Sequence, residues 1–485
     1  MRKIKRVIGY TLGIAMVLIA AIFLLNLHLT KRLERYLRKE LIHRTAEATD
    51  GFYRLSFDNR SISFFKGELT LEGIKLCPDS AVFRDWERKD SLPSVYVTAE
   101  VGMIDFKGLN LTWRWSYKQL HFDSFEIRNP DIQVFNPYYS TRAEVKERKE
   151  AEIKTLYEVV SPYINVLTVR ILNLENASVS YSVENPVSPI VYALNDVSFH
   201  AYGFRLDENS SESGKLLYCD NFDFITKRSQ TLLANNDFRL QTDRILLSTE
   251  DSIISISNIT LTPQGELWGE QKKRPDSYLN ALIRAIEVKG IQFRRENALN
   301  YLTARSLDII SSDIQAFNLA GESLPSAKKT EKKSLNEAEA DSLVRSLSLY
   351  ELISPVLHTV SIGTVGIGQA KLQYSFAVKD KIEVYKLANF DFQANDFRID
   401  SVSETQRGFW YSRGFSFEAT GIEGLMTARN HRFTVKRMTL DTESGDFNLE
   451  RIRLYPLSVC GQNDYMAGSI DTVGIRGLLY DKGIS

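Results

Sequence analysis

Cysteine and histidine are scarce in this chain, and each scarcity excludes a chemistry. Only three cysteines occur in 485 residues, Cys77, Cys219 and Cys460. None stands in a CxxC pair, and an odd number cannot all pair internally, so neither a disulfide framework nor a cysteine zinc site is expected. The six histidines are scattered, without an HExxH pattern. Net charge is absent too: 61 basic residues balance 61 acidic ones, which leaves no basic field for nucleic acid. Proline is rare at 12, while Phe at 26 and Tyr at 22 are plentiful, a balance that favours ordered β structure over disorder. No cofactor motif is found. Nowhere do a nucleophile, a base and an orienting group fall at recognisable spacing, so the chain reads as non-enzymatic.

A long uncharged run is present. Residues 7–29, VIGYTLGIAMVLIAAIFLLNLHL, carry no charge and follow Arg2, Lys3, Lys5 and Arg6. At about 1.5 Å per residue, such a run is long enough to cross about 30 Å of hydrocarbon. Lys31 and Arg32 follow it directly, which fits an uncleaved anchor better than a signal peptide. A short N-terminal tail before a long domain stays cytoplasmic, placing residues 30–485 across the membrane. Residues 30–49 read as a helix, with Leu33, Leu37 and Leu41 at four-residue spacing among basic residues. That helix either lies on anionic headgroups or forms a solvated stalk.

The rest of the chain repeats itself. PDIQVFN (130–136) recurs as SDIQAFN (312–318), a shift of 182. At a shift of 193, residues 156–263 lie on 349–456 without a gap, and 29 of the 108 aligned positions are identical. LYEVVSP meets LYELISP, FRLD (204–207) meets FRID (397–400), and ITLTP (259–263) meets IRLYP (452–456). IKLCP (74–78) resembles the same block, and VGIRGLLY (473–480) echoes IEVKGIQF (286–293). An ungapped match of this length marks a duplication. The pattern reads as the front part of a longer protein.

Within a unit, apolar residues alternate, as Leu167, Val169 and Ile171 do, and Val197, Phe199 and Ala201. Period two is the strand signal. Each unit also holds one helical pattern, 144–160 and 336–353, ending at Ser-Pro in both copies. The expected fold is mainly β: an N-terminal transmembrane helix, then an elongated, curled antiparallel sheet of repeated units with one helix each. The divisions are 1–29 (tail and anchor), 30–50 (juxtamembrane helix), 51–138 (first β segment), 139–319 (repeat unit with leading helix), 320–335 (charged linker) and 336–485 (second repeat unit and the start of a further one).

Three stretches carry a family resemblance: GFYRLSFDNRSISFFKGELTLEGIKLCPD (51–79), VTAEVGMIDFKGLNLTWRW (97–115) and LHFDSFEIRNPDIQVF (120–135). Their order behind an N-terminal anchor resembles the AsmA-like family, within the repeating β-groove, bridge-like lipid-transfer proteins. The resemblance implies a single-pass protein of the bacterial inner membrane with its bulk in the periplasm. It implies phospholipid acyl chains as partners, sheltered in an apolar groove between inner and outer membranes in support of outer-membrane biogenesis. It carries over no catalytic residue, and envelope protein partners stay unidentified. The alternative is a periplasmic scaffold with a filled β core.

Positions matched between copies are mostly apolar. They pair Val169 with Ile362, Phe199 with Phe392, Phe222 with Phe415, Phe224 with Phe417, Leu247 with Leu440 and Ile259 with Ile452. They are the candidate groove lining, and ordinary core is the competing reading. The polar candidates fare less well. The glycines of SIGTVGIG (361–368) lack phosphate-loop spacing and are replaced by Arg170, Asn173 and Glu175 in the other copy. Cys77 meets Thr262 and Tyr455; His200 meets Gln393 and His358 meets Asn165. Asp131 and Asp313 do match, and are expected to start a strand through turn hydrogen bonds.

Overall fold

The computed structural model describes residues 42–43, 45–47, 49–63, 67–89, 91–93, 95–114, 117–136, 157, 161, 164–183, 190–210, 215–233, 238–263, 277–296, 299–318, 357–378, 381–406, 411–457 and 466–478. The expected anchor at 7–29 and linker at 320–335 lie outside these residues, as does the helix expected at 336–353. Of the helix at 144–160 only Tyr157 is described, and it is helical. Among the described residues no helix is long and apolar enough to cross a membrane. Residues 42–43 and 45–47 are helical, within the segment expected to be a juxtamembrane helix. It ends where Asp50 and Gly51 take φ of 50° and 77°, with the Gly51 N–H donating to the Ala46 carbonyl at 2.7 Å.

The protein is mainly β, with twenty strands among the described residues. It divides into two compact units, Met1–Thr226 and Lys227–Ser485. In the first, β1 (Tyr53–Ser56) and β2 (Asn59–Ser63) both pair with β3 (Glu68–Pro78). Next, β3 pairs with β4 (Tyr96–Lys107), and β4 with β6 (Tyr117–Asn136), while the short β5 (Asn110–Arg114) folds back on the start of β6. Then β6 pairs with β7 (Val166–Val183), and β7 with β8 (Ile190–Leu206). Helix α1 (Ser80–Arg88) follows β3, capped by the Asp79 carboxylate, which accepts the Ala81 and Val82 amides at 2.8 and 3.2 Å. Strand β9 (Asn221–Leu233) spans the unit boundary.

The second unit repeats this order and extends it. Strands β10 (Phe238–Ser248), β11 (Ile253–Pro263), β12 (Ser277–Lys289) and β14 (Leu299–Asn318) pair in sequence, with β13 (Gln292–Glu296) folded onto β14. β15 (Thr359–Val378) pairs with β14; β16 (Lys381–Ile399), β17 (Gly414–Met426), β18 (His431–Asp441), β19 (Asp446–Pro456) and β20 (Gly468–Ile475) follow as neighbours. A short helix, α2 (Ser401–Gln406), follows β16. The duplication holds at strand level: the shift of 182 carries β5 and β6 onto β13 and β14, and that of 193 carries β10 and β11 onto β18 and β19.

The expectation of a purely antiparallel sheet needs correction. β6 and β7 run parallel, as do β14 and β15, so each unit is a mixed sheet. A parallel neighbour cannot be reached by a tight turn and needs a crossover of a dozen or more residues. Residues 137–165 and 319–358 are those crossovers, and they contain the two helical patterns of the sequence. The twin phrase PDIQVFN and SDIQAFN is the last stretch of strand before each crossover.

A second correction concerns alternation. Equivalent strands carry one residue with positive φ near mid-length: Gly73, Asn258 and Arg451; Asn129 and Ser311; Asn176 and Gln369, all between 49° and 62°. Such a residue throws the strand out of phase, so the next apolar side chain must come three places on to stay on the same face. The sequence follows: Leu69 and Leu71 then Ile74 and Leu76; Ile254 and Ile256 then Ile259 and Leu261; Phe447 and Leu449 then Ile452 and Leu454. The register breaks at Ala177 and at Ala370, which are 193 apart, have the same cause. A similar break at Arg170, opposite Gly203 with φ of 65°, takes Ile171 out of the set with Leu167 and Val169. Ile171 pairs with the exposed Tyr202, and Leu172 with the fully buried Ala201. Asp131 and Asp313 also differ from expectation. Both lie inside twenty-residue strands, two residues past the positive-φ position, and accept a hydrogen bond from Gln133 and Gln315 at 3.4 Å rather than starting a turn.

Candidate functional site

In the second unit the matched apolar residues meet on one face. Ile309, Ile367, Phe392, Phe417 and Leu440 are successive cross-strand partners on β14 through β18. Cross-strand neighbours on one face have Cβ atoms about 5 Å apart, so the row is continuous. Phe392, Ala394 and Phe415 are its buried centre, ringed by Val365, Ile367, Phe390, Phe417 and Leu440. The Phe392 and Phe415 rings stack at 5.9 Å, and the Phe390 and Phe417 rings lie 5.9 Å apart. Ile362 sits in the adjoining cluster with Ala304 and Val360, and Val365 touches both clusters.

The remaining candidates extend the same pattern. Ile259 is buried and pairs with Ile283, while the half-buried Leu247 pairs with Ile254. Ile452 pairs with the buried Val435 on one side and with Ile470 on the other. In the first unit, described by itself, Val169 is buried and pairs with Phe122 and Phe204. Phe199 pairs with Leu174 and lies 5.5 Å from the ring of buried Phe222, while Phe224 is half-buried.

Both clusters of the second unit are assembled from consecutive strands and their adjoining turns, so among the described residues they form one layer rather than two packed ones. Phe417, Leu440, Leu247 and Ile452 accordingly keep part of their surface open. Comparison of the two copies missed Ile309, Val365, Ile367 and Phe390, which stand in the same row. Their counterparts are Ile127, Leu172, Leu174 and Val197, the first identical and the other three apolar but different. The signal that finds them is the three-residue step within period-two alternation.

The opposite face is polar and internally paired. A furrow of about 780 Å³ in the second unit is lined by Lys289, Asp308, Asp391, Glu418 and Asp441 around Gly366 and Gly368, whose missing side chains leave it open. These carboxylates have partners within the sheet. Asp391 accepts the Gln369 N–H at 2.9 Å, Asp308 accepts the Ser306 hydroxyl at 2.9 Å, and Arg437 donates twice to Glu418 at 2.8 and 2.9 Å. Among the described residues no His, Cys, Asp and Glu group is arranged to hold a metal. His200 Nδ1 lies 3.0 Å from Asn173 Oδ1, a strand-to-strand contact. The glycines of SIGTVGIG lie within β15.

Retained polar letters have local roles. FRLD and FRID end β8 and β16 in one turn, built twice. Arg205 Nε donates to Asp207 and Arg398 Nε to Asp400, both at 2.6 Å, and the Asp N–H donates to Ser210 or Ser403 at 2.6 Å. Burial pushes both carboxyls up. At Asp207 the Arg205 guanidinium and Ser210 hydroxyl outweigh it, at Asp400 the Ser403 amide and Arg398, and both end below the usual carboxylate value. Cys219 is buried, which pushes its thiol up to about 11, with Asp220 adding to the shift; Cys77 is exposed.

No protein-family model matches this chain, and no curated protein matches it.

Proposed function

We propose that this protein is a membrane-anchored lipid carrier, with residues 7–29 in a bacterial inner membrane and the sheet units in the periplasm. The apolar face holds phospholipid acyl chains while headgroups stay in water, serving traffic between the two envelope membranes. The observation that carries this reading is the single-layer apolar row from Ile309 to Leu440, backed by Phe392 and Phe415 and still part-open. An acyl chain drawn into water costs about 0.8 kcal/mol per CH₂, on the order of 12 kcal/mol for a sixteen-carbon chain. An apolar row removes that cost along its length, so no bond need be made or broken.

Native mass spectrometry of detergent-purified protein tests this, with co-purifying phospholipid expected. Phe415→Glu and Phe222→Glu should each deplete it, because a carboxylate on an apolar face is unpaired and repels acyl chains. Lipid-free protein whose behaviour neither substitution changes would favour the filled scaffold instead.

A further inference from the structure

We infer that the second unit carries a recognition site for an organic ammonium group, built from Tyr374, Phe376, Tyr385, Phe433 and Glu383 along the apolar face. Its expected source is the headgroup of a zwitterionic phospholipid, an assignment that rests on the carrier reading above.

Strand register brings these residues together. Tyr374 pairs with Tyr385, and Phe376 with Glu383. Tyr385 also pairs with Gly424, and Gly424 with Phe433. The group continues the apolar face along β16, from Phe392 and Phe390 through Leu387 to Tyr385 and Glu383, across the register shift between Phe390 and Leu387. Neighbouring rings are close: Tyr374 and Phe376 at 5.3 Å, Phe376 and Tyr385 at 5.6 Å and nearly coplanar in orientation, Tyr385 and Phe433 at 5.9 Å. A Cβ on Gly424 would overlap the Phe433 ring, so the glycine is what admits that ring. Tyr374 is 45% exposed, which opens the set to solvent.

Glu383 is only 5% exposed. A carboxylate is almost never buried so fully without a partner of opposite charge. Among the described residues its hydrogen bond is to the Tyr385 hydroxyl, which donates at 3.4 Å, and no ion pair reaches it. Nearby cationic side chains are turned elsewhere: Lys381 Nζ donates to the Thr427 carbonyl at 3.3 Å, and Arg429 is exposed. Burial, then the Glu383 charge, push the Tyr385 phenol up, with Arg429 opposing. Ammonium groups are drawn to ring faces within about 6 Å of the centroid, and alkylated ones are the usual guests of aromatic cages. Rings beside a carboxylate that lacks an internal cation are therefore matched to an organic cation from outside.

The two copies set this group apart from the rest of the face. Under the 193-residue shift Tyr374 and Tyr385 match Tyr181 and Tyr192. Phe376, Glu383 and Phe433 stand instead where the first copy has Val183, Ile190 and Leu240, and Gly424 where it has Thr231. The carboxylate, two of the four rings and the glycine that admits one of them are thus particular to the second copy. A face packed only for stability gains nothing from a buried glutamate in place of isoleucine, because burying the charge costs free energy that a bound cation would offset.

The test titrates the full chain, delipidated in a nonionic detergent, with four probes. Three are phosphatidylcholine, phosphatidylethanolamine and phosphatidylglycerol with the same short acyl chains, and the fourth is tetramethylammonium alone. The two ammonium lipids should bind at least about fivefold more tightly than phosphatidylglycerol, and Glu383→Gln and Phe376→Val should each cut that preference below about twofold. Neither substitution should weaken phosphatidylglycerol binding or change the circular dichroism. Equal affinity for the three lipids, unmoved by either substitution, overturns the site and leaves the carrier reading standing. Tetramethylammonium binding that Glu383→Gln abolishes, with no lipid bound, supports the site with a free cation as its ligand and removes the carrier reading. Absence of binding by all four probes overturns the site.

Discussion

Asp207 and Asp400 show why a carboxylate kept in both copies need not be catalytic. Each is committed to an arginine, a serine hydroxyl and the backbone of its own turn. Their folded values lie below the usual 3.8, so each stabilises the fold above the unfolded carboxylate value. That contribution is lost as pH falls through the folded value. Asp400→Asn should therefore lower the denaturation midpoint at pH 7, with the difference from the parent shrinking toward pH 3. A gap that is constant with pH would remove the ionic account. The thiols make a second residue-scale prediction. Cys77 should alkylate readily at pH 8 while Cys219 reacts only after unfolding, as mass-spectrometric labelling would read. Ser312 is 3% exposed and its hydroxyl has no hydrogen-bond partner among the described residues, in the position where the first unit has Pro130. Ser312→Ala should leave the structure unchanged and stabilise it by about 1 kcal/mol.

At the scale of the strand, the mid-length positive-φ step decides which residues share a face. Its occupants are Gly, Asn, Ser, Gln and Arg in different strands. For a non-glycine residue that conformation costs about 1–2 kcal/mol, and more for a β-branched one. Arg451 occupies the position that Gly73 holds in the first unit, at φ 49°. Arg451→Gly should be neutral or raise the denaturation midpoint, and Arg451→Val should lower it, destabilising the fold by about 1–2 kcal/mol. If valine proved the more stable, the step would not be a left-handed residue. This scale also explains part of what the letters missed. Strict alternation groups Ile171 with Leu167 and Val169, whereas the break at Arg170 passes the inward role to Leu172. Asp131 reads as a turn residue because aspartate favours turns, yet the local irregularity is carried by Asn129.

At the scale of the whole molecule, the apolar face makes the sharpest claim. Phe415→Glu should reduce bound phospholipid severalfold, while Gln393→Glu, exposed on the opposite face one strand away, should leave it unchanged. Equal loss from both would mean general destabilisation rather than a lipid-bearing face. Much of that face was legible beforehand. Both copies keep an apolar residue at the positions of Phe392, Phe415, Phe417 and Leu440, and the structure gathers these four into one cluster. Phe390, whose counterpart is the smaller Val197, belongs to the same face, with its ring beside those of Phe392 and Phe417.

The amino-acid sequence by itself determined the β class, the duplication and the strand positions. Apolar alternation is local, and a duplicated pattern repeats every local preference, so β6 and β14 coincide end to end under the 182-residue shift. Only the tertiary structure decided the strand directions at β6–β7 and β14–β15. Alternation reads the same whichever way a neighbour runs, and direction is set by the path of the crossover. It also decided which side of each strand is apolar, because a single backbone torsion, compatible with five residue types, reverses the facing of all that follows. And among the described residues it alone separated β12 from β20, which a shift of 187 aligns: matching apolar residues are sheltered in one and open in the other, because shelter comes from a neighbouring strand and not from the residues themselves.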